Sequence, residues 1–559
     1  MKTRYIIELL IIISFTFSCE DFLEEEPPVF ISTTNFYQTA VDARTATDAI
    51  YESLQDGSSN SIYGRWWAGI DIGTDDITSR TNRNNYGNWL GHTMNPSDVW
   101  LEAYQVYQNL WRGVGRANDV IQFVPQIDMD EAEKAAIIGE ARALRALLYL
   151  HLVKTWGDVP LVVNSIESTA DFNLPRSSVD EVYDQIIIPD LQFSEENCLD
   201  GLHTGRVTRW TAKMILADVY MTRAGWRRTS QGQFVQGDAS NWALARDKAK
   251  EIIDQSPHSL ITEPYVDGQH ISAACIVPWI ESLPYSVESI FELGAVNVAG
   301  FGSWLTRDCS PNANGTRYWG AAGGRPLEGE GINSTVAQLR FAGRPATVGM
   351  FIPTPDIAEH YEAGDERREA FLMTRYTTPE GDNYLCQPTV RKYVDIDYFL
   401  GAENTSFLNT NRNWLLYRYA DALLIYAEAQ NEADAAPNGD AYAAVNEIRN
   451  RAGLADLDPG LSQQDFRVAV WRERRSEFVG EMKRKFDLVR TNRLRTETEN
   501  IRIQWDTDIG SLTSYINANP LYATTPFPDN EWLLPIPQSE MELNTDNGWV
   551  QNEGYAGGE

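Results

Sequence analysis

Two stretches of this chain combine flat rings with amide and guanidinium groups and show no helical or strand period. The first is SRTNRNNYGNWLGHTMN, residues 79–95, which sets Tyr86 and Trp89 among Arg83, Asn84, Asn85 and Asn88. The second lies in a glycine-rich run, where Trp304, Arg307, Asn312, Asn314, Arg317, Tyr318 and Trp319 follow one another. A pyranose offers an apolar C–H face and a rim of hydroxyls. A site for it therefore needs an aromatic surface flanked by donors and acceptors for those hydroxyls. Arg83, Asn85, Tyr86, Trp89, Trp304, Arg317, Tyr318 and Trp319 are the residues expected to supply both.

Catalytic chemistry has weaker support. No HExxH, G-x-S-x-G, Walker loop or G-x-G-x-x-G occurs. His92, His151, His203, His258, His270 and His360 are scattered, so neither a metal site nor a histidine triad is indicated, and no cofactor is expected. Asp75 and Asp76 could be offered as a glycosidase pair, but neighbouring acids arise by chance in a chain with 79 Asp and Glu, and a structural or capping role is expected.

The chain has 559 residues and a formal charge of −32, which disfavours nucleic acid and anionic lipid as partners. Its 17 Trp and 25 Tyr either fill a large helical core or build platforms, and location decides between the two. The start, MKTRYIIELLIIISFTFSCEDFLEEEPP, carries Lys2 and Arg4, then an apolar run too short to span a bilayer, then Ser18 and Cys19. Residues 1–18 read as a lipoprotein signal, Cys19 as the lipidated first residue and 19–39 as that residue with its tether. An ordinary secretory signal with Cys19 incidental is the alternative. Cys198, Cys275, Cys309 and Cys386 could pair in three ways on paper, and free buried thiols are the favoured expectation.

The elements that must position the rings are mostly helices. From 40 to 260 apolar residues recur at three and four positions, and Ala146 with Tyr149 and Ala217 with Tyr220 repeat an A-x-x-Y pattern 71 residues apart, close to two 34-residue helix-pair units. Between 261 and 394 the chain turns loop-rich: SIFELGAV reads as a strand, and Gly300 to Gly331 holds eight glycines. Helices return over 395–500. Pro437, Asn438 and Gly439 separate two of them, and Gly453 sits at a C-cap position.

DFRVAVWRERRSEFVGEMKRKFDLVR is expected as one helix, with Val470, Arg474, Phe478, Met482 and Phe486 on a stripe and with Glu477 and Glu481 partnering Arg474 in a structural ion cluster. Trp66 and Trp67 fall in an expected helix, with at least one in the core. Residues 501–559, with WLLPIPQSEMELN, are expected to wrap the helical body.

In order, CEDFLEEEPP, GEARALRALLYLHLVKTWGDVPLV, GRVTRWTAKMILADVYMTRAG, RYADALLIYAEAQNEAD, AVNEIRNRAGL, RERRSEFVGEMKRKFDLVR and LLPIPQSEMELN make the chain resemble the SusD/RagB family from the anchor to the C-terminus. The QNEGY near the end departs from a proline common there, and Glu8 and Thr16 make the signal irregular.

The resemblance implies a mainly α fold, a tetratricopeptide-like α-superhelix of about four helix pairs supporting a loop-rich half, as a single domain over 40–559. It also implies a non-enzymatic, surface-exposed outer-membrane lipoprotein of Bacteroidetes-type bacteria. Such a protein would capture oligosaccharide and deliver it to a SusC-like TonB-dependent transporter faced by the repeats. A RagB-like peptide-capturing protein is the alternative within the family. A glycan-cleaving hydrolase is the alternative from another class.

Overall fold

The computed structural model describes residues 36–54, 67–79, 89, 91–97, 102–166, 174–202, 205–267, 270–280, 282–296, 298, 302–309, 324–326, 351–377, 383–394, 410–499, 501 and 527–558. Cys19, Trp66, Arg83, Asn85, Tyr86, Arg317, Tyr318 and Trp319 lie outside them, as do the side chains of Trp67, Arg307 and Cys386.

Eight helices form four stacked pairs: α1 (Ala40–Leu54) with α2 (Glu102–Phe123), α3 (Glu131–Trp156) with α4 (Ile188–Asn197), α5 (Arg209–Ala224) with α6 (Ser240–Gln255), and α7 (Tyr419–Ala433) with α8 (Gly439–Arg451). Each pair leans on the next through α2 on α3, α4 on α5 and α6 on α7. Buried on both sides, an inner helix must be apolar nearly all round, and α3 is: its last 14 residues are buried except Lys154. Asp130 caps its start by accepting from the Glu133 N–H at 2.9 Å, and Gly157 at φ +75° ends it.

Ala146, Ala217, Tyr149 and Tyr220 are all buried, so small residues let helices approach where tyrosines fill the space beside them. Tyr107 and Trp111 of α2 interlock with Trp156 and Tyr149 of α3 edge-to-face, at 5.1 and 5.7 Å between centroids. Asn438 caps α8 by accepting from the Ala441 N–H at 2.8 Å, and Gly453 follows that helix at φ +79°.

The stretch expected as one helix is two, α9 (Gln463–Phe478) and α10 (Arg484–Arg490). Between them Gly480 takes φ +74° and Met482 φ +59°, conformations that end a right-handed helix. A Cβ at position 480 would stand 2.7 Å from Val390 Cγ1, so glycine is required by space as well as by φ. The stripe from Val470 to Phe486 is therefore bent. Its arginine, Arg474, pairs with Asp487 across the turn at 3.0 Å, not with Glu477 or Glu481.

Those two glutamates instead anchor a buried ion lattice. Arg418 donates to Glu288 at 3.0 Å, to Glu477 at 2.6 Å and to Glu481 at 2.9 Å, all at or below 1% side-chain exposure. Arg451 joins Glu288 and Glu477, Arg367 joins Asp365, Glu473 and Glu477, and Lys392 joins Glu481. Every one of these charges needs a partner, because an unpaired ion so deep would cost several kcal/mol.

The loop-rich half is held by short antiparallel strands. β1 (Ile77–Ser79) pairs with β4 (Phe351–Pro353), β2 (Ser289–Leu293) with β7 (Trp414–Arg418), and β5 (Leu372–Thr377) with β6 (Asn383–Val390), whose far edge takes β3 (Gly324–Pro326). The terminal segment crosses the helical body: the Leu534 N–H donates to Thr155 O at 2.7 Å, Asn552 Nδ2 to Trp156 O at 3.0 Å and the Gln538 N–H to Pro96 O at 2.9 Å. Cys198, Cys275 and Cys309 are free and buried. Among the described residues no helix is long and apolar enough to cross a membrane.

Candidate functional site

The two ring-bearing stretches are rooted in one place. Residues 80–88 follow β1, and residues 310–323 run from the short helix Leu305–Cys309 to β3. β1 lies in register with β4, with Ser79 opposite Phe351. Cys309 O accepts from the Thr389 hydroxyl of β6, and β6 contacts β4. Ile77, Cys309 and Phe351 line one small cavity of about 10 Å³, so the roots touch across no more than the space of a single water. Sequence reasoning could name each stretch, but only the strand pairing shows that they start side by side.

Of the eight expected ligand residues, two have described side chains. Trp304 is half-buried, one residue before the short helix that leads to 310–323, and its carbonyl accepts from the Asp308 N–H at 3.0 Å. Trp89 differs from expectation: it is 3% exposed. Its ring fills the space over Gly69, 3.5 Å from where a Cβ would stand, and Lys485 Nζ lies 5.9 Å from the ring centroid. The expectation that Trp89 offers its ring to a ligand fails, because Gly69 and Lys485 lie against that ring. The C-terminal segment holds the residues that follow: the Phe527 ring lies tilted against His92 at 4.3 Å, and Glu531 accepts from His92 Nδ1 at 2.9 Å and from the Met94 N–H at 3.3 Å. Trp89 is a pin at the exit of the loop and has no face to offer a ligand.

The carboxylates nearest these roots are tied up. Asp75 accepts a bidentate pair from Arg484 at 2.8 and 2.6 Å, and Asp76 accepts from Arg475 at 2.7 Å. Burial would raise Asp75, but Arg484 and Arg475 outweigh it and hold the group at about 2. It is a permanent anion with both oxygens occupied, suited to locking α10 against residues 71–79 and unsuited to proton transfer. Asp71, also buried, is pushed up to about 7 by desolvation, and its oxygen accepts from the Lys485 N–H at 3.0 Å. Among the described residues no group of His, Cys, Asp and Glu could hold a metal ion. A roomier cavity, about 70 Å³, lies among α3, α5, β7 and α10 and shares Met482 with the small one.

With this geometry in hand, two family models match the chain: residues 21–221 fit one described as starch-binding, associating with outer membrane, and residues 357–555 fit that of the SusD family. The chain belongs to the SusD/RagB family. A SusD-like protein of Formosa agariphila is 27% identical over 595 residues, spanning 98% of this chain and 100% of the relative. Among solved structures, a SusD superfamily protein from Parabacteroides distasonis superposes with a TM-score of 0.71 at 24% identity, covering 94% of this chain and all of that one. Surface glycan-binding protein A from Bacteroides thetaiotaomicron, solved in complex with laminarihexaose, gives a TM-score of 0.67 at 22% identity, covering 92% and 100%. The tetratricopeptide-like superhelix with its loop-rich half is thus the SusD fold, reached here from four helix pairs and a few short strands.

Proposed function

We propose that this SusD-family chain is a non-catalytic glycan-binding lipoprotein that captures oligosaccharide at the cell surface and passes it to a SusC-like TonB-dependent transporter. The observation that carries the reading is the shared root of the two ring-bearing stretches at β1, β4 and the Leu305–Cys309 helix. Rings and amides on two segments whose described flanks lie together could serve one ligand. Arg83, Asn85 and Tyr86 would come from the first stretch, and Trp304, Arg317, Tyr318 and Trp319 from the second. Trp89 is removed from the set. A lipid on Cys19 would hold the protein at the outer membrane, in keeping with the family description, and the helix pairs would face the transporter. Asp75 and Asp76, spent on Arg484 and Arg475, support the view that sugar is held without being cut.

Calorimetric titration with a polysaccharide panel tests this, starting from laminarin because a structural neighbour was solved with laminarihexaose. The expected result is saturable, modest binding to at least one glycan, without release of reducing ends. Each stacked ring contributes about 1 kcal/mol, so Tyr86→Ala with Trp319→Ala should weaken binding by about tenfold or more. Retention of no glycan, an unchanged double variant or new reducing ends would each overturn the proposal.

A further inference from the structure

The 70 Å³ cavity among α3, α5, β7 and α10 has an unusual balance of hydrogen-bonding groups on its wall. Four carboxylates and four cations besides histidine reach it, so its formal charge is balanced, but the two sets are not equally occupied. Every carboxylate accepts a strong bond: Asp218 from the Tyr417 hydroxyl at 2.8 Å, Asp421 from the Arg418 N–H at 3.0 Å, Glu481 from Arg418 at 2.9 Å, and Asp487 from Arg474 and Arg490 at 3.0 and 2.8 Å.

On the cationic side, all three nitrogens of Arg490 donate, to Asp487 and Glu428. Lys483 is paired with Asp421. Lys154 and Arg474 each keep a nitrogen that makes no hydrogen bond among the described residues. Among the described residues Lys154 has Asp218 as its only ionic neighbour, at 3.6 Å, and it rests over the Phe486 ring at 4.4 Å. Arg474, 4% exposed, spends Nε and Nη2 on Asp487 and leaves Nη1 buried with no acceptor among the described residues.

Spare donors beside carboxylates that are already bonded favour an acceptor-only guest. A metal cation would find no free carboxylate, and an apolar guest would leave Nη1 unsatisfied at a cost. We propose that this cavity is a binding site for one small oxyanion, a carboxylate or phosphate group, held between Lys154 of α3 and Arg474 of α9. Its volume admits a few water-sized groups and no sugar ring, so the site is separate from glycan capture. Both cations act on Asp218 from within the same pocket: burial would raise that carboxyl, and Lys154, the Tyr417 hydroxyl, Arg474 and Lys483 together hold it below its usual range. His151, on the same wall, is pushed down to about 3 by burial and by Lys154, so it adds no charge at neutral pH. An oxyanion bridging α3 and α9 would fasten the second helix pair to the C-terminal half.

The test is thermal unfolding of the full chain in rising sodium acetate or sodium phosphate at ionic strength matched with sodium chloride. A guest that binds only the folded state raises the midpoint with a saturating onset, by about 2 °C at a hundredfold excess over its dissociation constant. Lys154→Met should abolish the saturable part, and Lys154→Arg should keep it. Acetate and phosphate acting alike mark the shared oxyanion chemistry, whereas a response to one of them identifies the source. Midpoints that follow the chloride control in the wild-type protein would mean that water alone serves the spare donors, and the proposal falls. An equal saturable rise in Lys154→Met would overturn it as well. If that variant does not fold, the wild-type titration still decides.

Discussion

Glu477 is the most heavily shared acceptor of the buried lattice, and replacing it by Gln removes one charge while keeping the shape. Its Oε1 accepts from Arg418 at 2.6 Å and from Arg451, and its Oε2 accepts from Arg367 at 3.0 Å. At an effective dielectric of about 20, each such contact supplies roughly 4 kcal/mol of attraction. Desolvating the carboxylate returns several kcal/mol of that, and each arginine keeps at least one other carboxylate. The net expected loss for Glu477→Gln is about 3–5 kcal/mol, the range for a broken buried pair. A chain of this size has an unfolding entropy near 1 kcal/mol per degree, so the midpoint should fall by about 3–5 °C.

Burial would raise Glu477, but Arg451, Arg418, Arg367 and Lys392 hold it well below its usual value. A depressed folded pKa contributes stability above the unfolded value, near 4.3, and loses it as pH falls through the folded one. The difference between wild type and Glu477→Gln, followed by circular dichroism from pH 7 to pH 2, should therefore be largest at neutral pH and close towards pH 2. A variant as stable as wild type at pH 7, or a gap that widens in acid, would refute the claim that Glu477 holds the lattice.

Gly480→Ala should cost about 2–4 kcal/mol, combining the left-handed backbone at φ +74° with a Cβ 2.7 Å from Val390, and urea unfolding reads it directly. Trp89→Ala should behave as a core truncation, costing about 3–5 kcal/mol, where an exposed platform ring would cost under about 0.5 kcal/mol. Below pH 4 the whole protein should lose stability steeply. Asp75 and Glu428 are held down by Arg484 and Arg490 against the effect of burial, so their contributions vanish together with that of Glu477 as they take up protons. An acid titration that stays flat to pH 2 would contradict this.

The helical half is legible in the sequence because a stacked helix must repeat its apolar residues at three and four, and α3, α5 and α7 do so without interruption. The turn after Phe478 is not legible in that way. Gly480 stands inside a stretch with helical spacing, and what forbids a side chain there is Val390, 90 positions away. The partner of Arg474 was misread for the same reason, since helical spacing pointed to Glu477 and Glu481, whereas the turn delivers Asp487. In the candidate site, the chemistry of the ring-bearing stretches is visible locally, but Trp89 shows the limit of that reading. The groups that meet its ring, Gly69 and Lys485, come from separate parts of the chain. The pairing of Ser79 with Phe351, which brings the loop roots together, leaves no trace in any one segment.

A crystal structure of the full chain with an oligosaccharide it retains in titration tests the central claim most directly. Intact sugar is expected against Tyr86 and Trp319, beyond the roots at Ser79, Cys309 and Phe351, with Trp89 still buried beneath. Sugar seated on the helix pairs, sugar stacked on Trp89, or a cleaved product would contradict the account.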